Sequence, residues 1–391
     1  MYDYKKTVET LINKGIAEGE IIGANVLLIK DGEEKLFASY GKACKETGED
    51  MKRDTIFRMF SMTKPVTAVA AMILFERGLI DLRDAVSKYL PAYKDQIVWT
   101  KDGLVPAVRD ITIQDCLNMT TGVTYPSMDH EPGRQMGVLF QELIRRRVDG
   151  EVVDTLEYMD RIAKIPLVFQ PGDHWLYGLS ADILGAVIQV VSGKTYGQFL
   201  KDEIFDPLGM VDTGFYVPAE KLHRFAAAYE WDEEKQMLKR REGSYLGEYY
   251  EEDVAFESGG AGLVSTIDDY AKFACMLMQK GKLGDVRILG EKTVEFMTEN
   301  RLDEIQMKDY NWDSTIGYGY SCLMRILQDK GIAGSNGSVG EFGWDGWTGN
   351  YVTMNPADNM VLLFFIQRCG YGFGALTRKV RAVTYGALQD L

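Results

Sequence analysis

The chain has 391 residues, 46% apolar and 26% charged, with a formal net charge of −14. That charge argues against nucleic acid or an anionic membrane surface as a partner, and no apolar run reaches the roughly 20 residues needed to span a bilayer. The start, Met1-Tyr2-Asp3-Tyr4-Lys5-Lys6, lacks the apolar stretch of a secretory signal. Cys44, Cys116, Cys275, Cys322 and Cys369 form no C-x-x-C pair, so the expectation is reduced thiols in a cytoplasmic protein with room for two structural units.

In chain order, Val8, Leu11, Ile12 and Ile16 share one helical face and predict a helix over 3–17. Two strands follow, 24–29 and 34–40, joined by Asp31-Gly32, a pair suited to a tight hairpin turn. The stretch Phe60-Ser61-Met62-Thr63-Lys64-Pro65 then opens an amphipathic run through Val66, Val69, Ala70, Ile73 and Leu74 that stops near Arg77-Gly78. Ser61 is thereby expected at the mouth of a buried helix with Lys64 one turn on, and Pro65 suits a first turn whose N–H groups have no helical partner to lose.

Residues 79–254 read as mostly helical. Thr112-Ile113-Gln114-Asp115 has capping-box spacing, and 135–147, 154–164, 180–192 and 195–205 carry helical apolar spacing. Arg145-Arg146-Arg147 reads as a solvated helix face. Residues 229–253, with Glu248-Tyr249-Tyr250-Glu251-Glu252-Asp253, read as an exposed excursion at a cleft rim. Strand signals resume after residue 255: Ser258–Val264 leads into a helix capped at Thr266, runs 316–326, 339–344, 349–355 and 360–367 read as strands, and Leu376, Val380, Val383 and Leu388 mark a closing helix. Strands at both ends of the chain predict an α+β fold. Its sheet comes from residues 1–78 and 255–391, with a mostly helical domain, 79–254, inserted.

Several chemical signals fail on inspection. Gly193-Lys194-Thr195 lacks the earlier glycine of a phosphate loop and follows a helix. His130, His174 and His223 have no metal-ligand spacing, and Gly178-Leu179-Ser180-Ala181-Asp182 lacks the last glycine of a nucleophile elbow. No metal and no cofactor is expected. A Ser-x-x-Lys pair by itself is a weak pattern. Two further stretches strengthen it: Phe169 to Gly185, which delivers Tyr177 just before a helix, and the glycine-studded aromatic strand Phe342-Gly343-Trp344-Asp345-Gly346-Trp347-Thr348-Gly349-Asn350-Tyr351.

With these motifs in this order, joined by Asp206-Pro207-Leu208-Gly209-Met210 and Gly259-Gly260-Ala261-Gly262-Leu263-Val264, the sequence resembles the serine β-lactamase and penicillin-binding-protein superfamily. Within it, the sequence is most similar to the class C-like branch that includes family VIII carboxylesterases. The resemblance implies an antiparallel sheet flanked by helices, an α/β/α sandwich of the β-lactamase-like fold, with the active site in the cleft beside the inserted domain. It also implies Ser61 as the acylated nucleophile, Lys64 as the partner that tunes it, and Tyr177 as general base. The oxyanion hole would be the backbone N–H groups of Ser61 and Trp347. Where relatives carry Lys-Thr-Gly this chain has Trp344-Asp345-Gly346, and where class C enzymes carry an asparagine it has Leu179. Those departures put Trp344, Asp345, Gly346 and Leu179 at the substrate and favour a neutral acyl group. The expected activity is hydrolysis of small carboxylic esters through an acyl-Ser61 intermediate. The alternatives are a β-lactamase, a D-amino-acid peptidase or amidase, an acyltransferase on the same site, or a non-enzymatic acylatable sensor. The expected partner is a small-molecule ester or amide. Nothing in the sequence sets the oligomeric state.

Overall fold

The computed structural model describes residues 3–242, 250 and 255–390. Its largest element is an eight-stranded antiparallel sheet drawn from the two ends of the chain. The N-terminal end supplies β1 (Gly23–Lys30), β2 (Glu33–Cys44) and β3 (Glu49–Asp50); the C-terminal end supplies β4 (Tyr318–Ser321), β5 (Met324–Leu327), β6 (Phe342–Asp345), β7 (Tyr351–Asn355) and β8 (Met360–Phe365). The spatial order is β4-β5-β6-β7-β8-β1-β2-β3, so β1 closes the sheet against β8, with Leu27 opposite Leu363.

Side-chain alternation sorts this sheet into two buried faces. Met360, Leu362 and Phe364 of β8 join one core cluster, and Val361, Leu363 and Phe365 join another. A strand covered on both sides has no polar face, which is why β8 reads as a continuous apolar run. Helices α1 (Tyr4–Ala17) and α6 (Ala375–Gly386) cover the first face; α2 (Thr63–Glu76) and α5 (Ile267–Met278) lie in the larger cluster on the second. Burying one CH₂ is worth about 0.8 kcal/mol, so these two layers supply much of the drive to fold. The same larger cluster takes in α3 (Ile113–Asn118) and α4 (Ser180–Ser192). No helix among the described residues is long and apolar enough to cross a membrane.

Local signals are realised as read. Asp31 and Gly32 both have positive φ, 54° and 78°, as a two-residue hairpin turn requires. Thr112 and Asp115 exchange side-chain and backbone hydrogen bonds in a full capping box. Arg146 on the basic helix face meets Glu151 and Glu157. Two readings differ. The run 316–326 is two strands, because Cys322 and Leu323 adopt positive φ (45° and 62°) and reverse the chain without glycine or asparagine. Both side chains are buried, and the Leu323 N–H donates to the Leu117 carbonyl, so packing holds the unfavourable turn. The excursion at 229–253 is also less exposed than its charge implies. Tyr229–Asp232 and Met237–Arg240 pair as a hairpin, and Tyr229 is buried with its hydroxyl bonded to the Lys45 N–H and Glu46. Tyr250 is buried as well; Glu248, Tyr249 and Glu251–Asp253 lie outside the described residues.

Candidate active site

Ser61 sits in a single 3-10 turn, Phe60–Met62, that feeds directly into α2. Phe60 adopts a left-handed backbone at φ 46°, a conformation costing about 1–3 kcal/mol for a bulky residue. Its ring is wedged edge-on against Trp347 at 5.3 Å, which holds the turn in place. Ser61 stays partly accessible while every residue from Met62 to Leu74 is buried. The serine is thus the last accessible residue before a helix that runs into the core.

Lys64 lies one turn further and is fully buried. Its Nζ donates to the Gly260 carbonyl at 2.8 Å, to Ser61 Oγ at 3.1 Å and to the Tyr125 hydroxyl at 3.2 Å. It also lies 4.5 Å from the centre of the Tyr177 ring. All three acceptors are neutral. Burial therefore dominates and pulls the amine down to about 7, opposed by the charges of Asp182 and Asp345. Near pH 7 the ammonium, which donates to all three, coexists with the amine, which has two N–H groups and a lone pair free to accept from the Ser61 hydroxyl.

Tyr177 is delivered by the loop ahead of α4. Trp344 Nε1 donates to its hydroxyl at 3.2 Å, and a hydrogen bond with Ser61 also acts on it. Burial outweighs both and raises the phenol above its ordinary value, so Tyr177 stands as a neutral phenol beside a neutral amine. This sharpens the electrostatics. An ammonium stabilising a phenolate would require a charged Lys64, and the dry surroundings of Lys64 favour the uncharged form.

The residues named from the strand motif divide by face. Trp344 points to the active-site side but is only 3% exposed, and what it offers there is its hydrogen bond to Tyr177. Asp345 falls on the opposite face, where it pairs with buried Arg325, and Arg325 packs over Phe373 and Tyr351 of the other core. Gly346 lets the end of β6 approach the turn ahead of Ser61: a Cβ there would come within 2.5 Å of the Met59 carbonyl oxygen. Trp347 is half-buried beside Phe60, with the Arg241 guanidinium 4.9 Å from its ring. Leu179 is buried in the core beside the tyrosine loop.

Two residues escape a reading by motif. Tyr125 follows α3 in an undistinguished stretch, Val123-Thr124-Tyr125-Pro126, and becomes a partner of Lys64 only through folding. Trp312 is 43% exposed and sets its ring edge-on to Tyr177 and Trp175, both at 5.2 Å, as an aromatic wall over the tyrosine. A lone exposed tryptophan in a polar loop was the available signal for it.

The chain is similar to proteins of one family along nearly its whole length. The family model described as Beta-lactamase matches residues 8–384. Protein Rv1367c of Mycobacterium tuberculosis is 31% identical over 334 residues, covering 83% of this chain and 80% of that protein. Esterase EstB of Burkholderia gladioli is 28% identical over 97% of this chain and 94% of its own length. Among solved structures, EstCE1, described as a hydrolase with promiscuous acyltransferase activity, has a TM-score of 0.82 at 26% identity and covers 98% of both chains. With a family match over almost its full length, the chain belongs to the Beta-lactamase family and is one of its serine hydrolases.

Proposed function

We propose that the protein hydrolyses small, uncharged carboxylic esters through an acyl-enzyme on Ser61. The observation that carries this reading is the Lys64 amine, 3.1 Å from Ser61 Oγ and pulled to about 7 by burial among neutral partners. A base with a pKa near the working pH is the most effective acceptor for the serine proton. Ser61 Oγ attacks the ester carbonyl while its proton passes to Lys64. The backbone N–H groups of Ser61 and Trp347 receive the developing oxyanion, an interaction whose loss typically costs about 10²–10³-fold in rate. Tyr177, bonded to Trp344 and ranged on Ser61, relays the proton to the departing alcohol. The tetrahedral adduct then collapses to the acyl-enzyme, and water, activated by the same pair, releases the acid.

Substrate preference follows from what stands beside Ser61. Trp344 occupies the lysine position of β-lactamases and transpeptidases, and the Arg325 charge nearby is spent on Asp345 across the sheet. With Trp312 and Trp347 as walls, a neutral acyl group is favoured over a carboxylate-bearing one; Gly346 and Leu179 shape the site through backbone approach and packing. We also read the chain as two units, 1–78 with 255–391 and 79–254, with the site in the cleft between them. The sheet supports this, since among the described residues its strands come from 23–50 and 318–365. Five free, buried cysteines support a reducing compartment, the cytoplasm.

The test is turnover of p-nitrophenyl acetate and butyrate beside a chromogenic cephalosporin, with Ser61→Ala as control. Ester turnover lost in the variant is the expected result. Fast cephalosporin cleavage with negligible ester turnover would overturn it, and stable acylation without turnover would identify a sensor. The promiscuous acyltransferase activity described for EstCE1 favours a second outcome, ester transfer to an added alcohol, read from the product ratio at rising alcohol concentration.

A further inference from the structure

The helix that follows Tyr177 carries an acidic side chain into the interior beneath the Ser61–Lys64 pair. Asp182, in the first turn of α4, is 2% exposed. A buried carboxylate is costly unless it is hydrogen-bonded. Oδ1 of Asp182 accepts from Ser258 Oγ at 2.6 Å and from the Gly260 N–H at 3.2 Å. Gly260 in turn presents its carbonyl to Lys64 Nζ at 2.8 Å. The fit around this residue is close: a Cβ on Gly260 would lie 2.7 Å from Asp182 Oδ2 and 3.2 Å from the Tyr125 hydroxyl. Carboxylate, glycine peptide, tyrosine hydroxyl and amine thus converge, and Asp182 has no ion-pair partner within contact distance among the described residues.

We propose that Asp182 is a positioning residue for Ser61 acylation: through Gly260 it holds the Lys64 amine against Ser61, and its charge sets how readily that amine takes the serine proton. This rests on the reading of Ser61 and Lys64 given above. The groups that face Lys64 are Ser61 on its own turn, Tyr125 after α3, Tyr177 before α4, Asp182 within α4 and the Gly260 carbonyl; Asp345 on β6 acts only through its charge, from the other face of the sheet, and Arg325 offsets it. Burial pulls Lys64 down, and Asp182 is the first charge opposing that pull. A neutral residue at 182 therefore lowers the proton affinity of Lys64 further, and acylation persists to lower pH.

The experiment measures single-turnover labelling of Ser61 by a fluorophosphonate from pH 5 to 10, a readout independent of deacylation. In Asp182→Asn the acidic limb is expected to move down by about one pH unit, as removal of a nearby buried charge does. Ser258→Ala keeps the charge but loosens the clasp, so its limb stays in place while the labelling rate falls several-fold. A limb in a folded Asp182→Asn protein that superimposes on the wild type would overturn the proposal. If Asp182→Asn fails to fold, Ser258→Ala decides, and an unchanged labelling rate overturns the clasp. Wild-type protein labelled no faster than Ser61→Ala would instead sink the reading of Ser61 as nucleophile, an outcome separate from both.

Discussion

Among the described residues three basic side chains are buried, and they are treated in opposite ways. Arg325 and Arg381, 2% and 4% exposed, each meet a carboxylate: Asp345 for the first, Glu341 for the second. Arg381 reaches Glu341 through Nε at 3.2 Å and Nη2 at 2.6 Å, and Tyr385 adds its hydroxyl to the same carboxylate. Lys64, fully buried, has a carbonyl and two hydroxyls as its hydrogen-bond partners among the described residues. A paired guanidinium stays charged and braces the sheet against α6. An amine among neutral acceptors is pushed toward its uncharged form, which makes it a base. The difference teaches that a destabilising burial marks the reactive centre and a compensated one marks the scaffold.

The sharpest way to break the comparison is Lys64→Met. Ester turnover is expected to fall on the order of 10⁴-fold, in line with loss of a member of a catalytic unit. At the same time the unfolding free energy in urea at pH 7 should rise, by about 1–3 kcal/mol, because a desolvated polar amine is replaced by an apolar side chain of similar length. A drop in both would mean that Lys64 is structural. The pH dependence carries the same sign. Lys64 is depressed to about 7 when folded and lies near 10.5 unfolded, so between those values the unfolded chain binds more protons. Wild-type stability gains from this residue as pH rises from about 7 toward 10, and Lys64→Met removes the gain, at most about 1.4 kcal/mol per pH unit. Activity of the wild type should climb through an acidic limb near pH 7 on the same titration.

Arg381→Met is the converse. It strands Glu341 in the core, and denaturant unfolding should show a loss of about 3–5 kcal/mol, with kcat/KM of the folded fraction unchanged. A smaller effect is expected from Trp344→Phe, which keeps an aromatic ring, smaller than the indole, but removes the N–H that donates to Tyr177; kcat should fall about tenfold, near 1.4 kcal/mol, the range of one hydrogen bond. The smallest is Trp312→Ala. Its ring covers Tyr177 from the exposed side, so KM for longer acyl chains should rise a few-fold with kcat nearly constant, as loss of part of an apolar wall predicts. A kcat effect there larger than that of Trp344→Phe would reverse the ranking of the two tryptophans.

Much of the framework was legible because its signals are local. The Asp31-Gly32 turn, the capping box at Thr112 and the C-terminal stop at Gly78 each depend on a few adjacent residues, and each is realised. Ser61 and Lys64 meet because residues three apart in a helical turn share a face. The Cys322-Leu323 turn was not legible, since nothing in its residue types favours positive φ and only packing against Leu117 holds it. Tyr125 was missed for a related reason: 61 positions separate it from Lys64, and no spacing rule reaches that far.

By itself the sequence determined the strands at both ends of the chain and the helix behind Ser61, because hydrophobic period is a property of short stretches, and its resemblance to a known family proposed the trio Ser61, Lys64 and Tyr177. The tertiary structure alone decided what surrounds them. It turned Asp345 away to Arg325, because strand parity assigns alternate residues to opposite faces of the sheet. It brought Tyr125, Gly260 and Asp182 around the amine from three distant segments. It also supplied the burial that pulls Lys64 to about 7. A lysine's charge state depends on the dielectric and partners at its final position, and those exist only once the chain has folded.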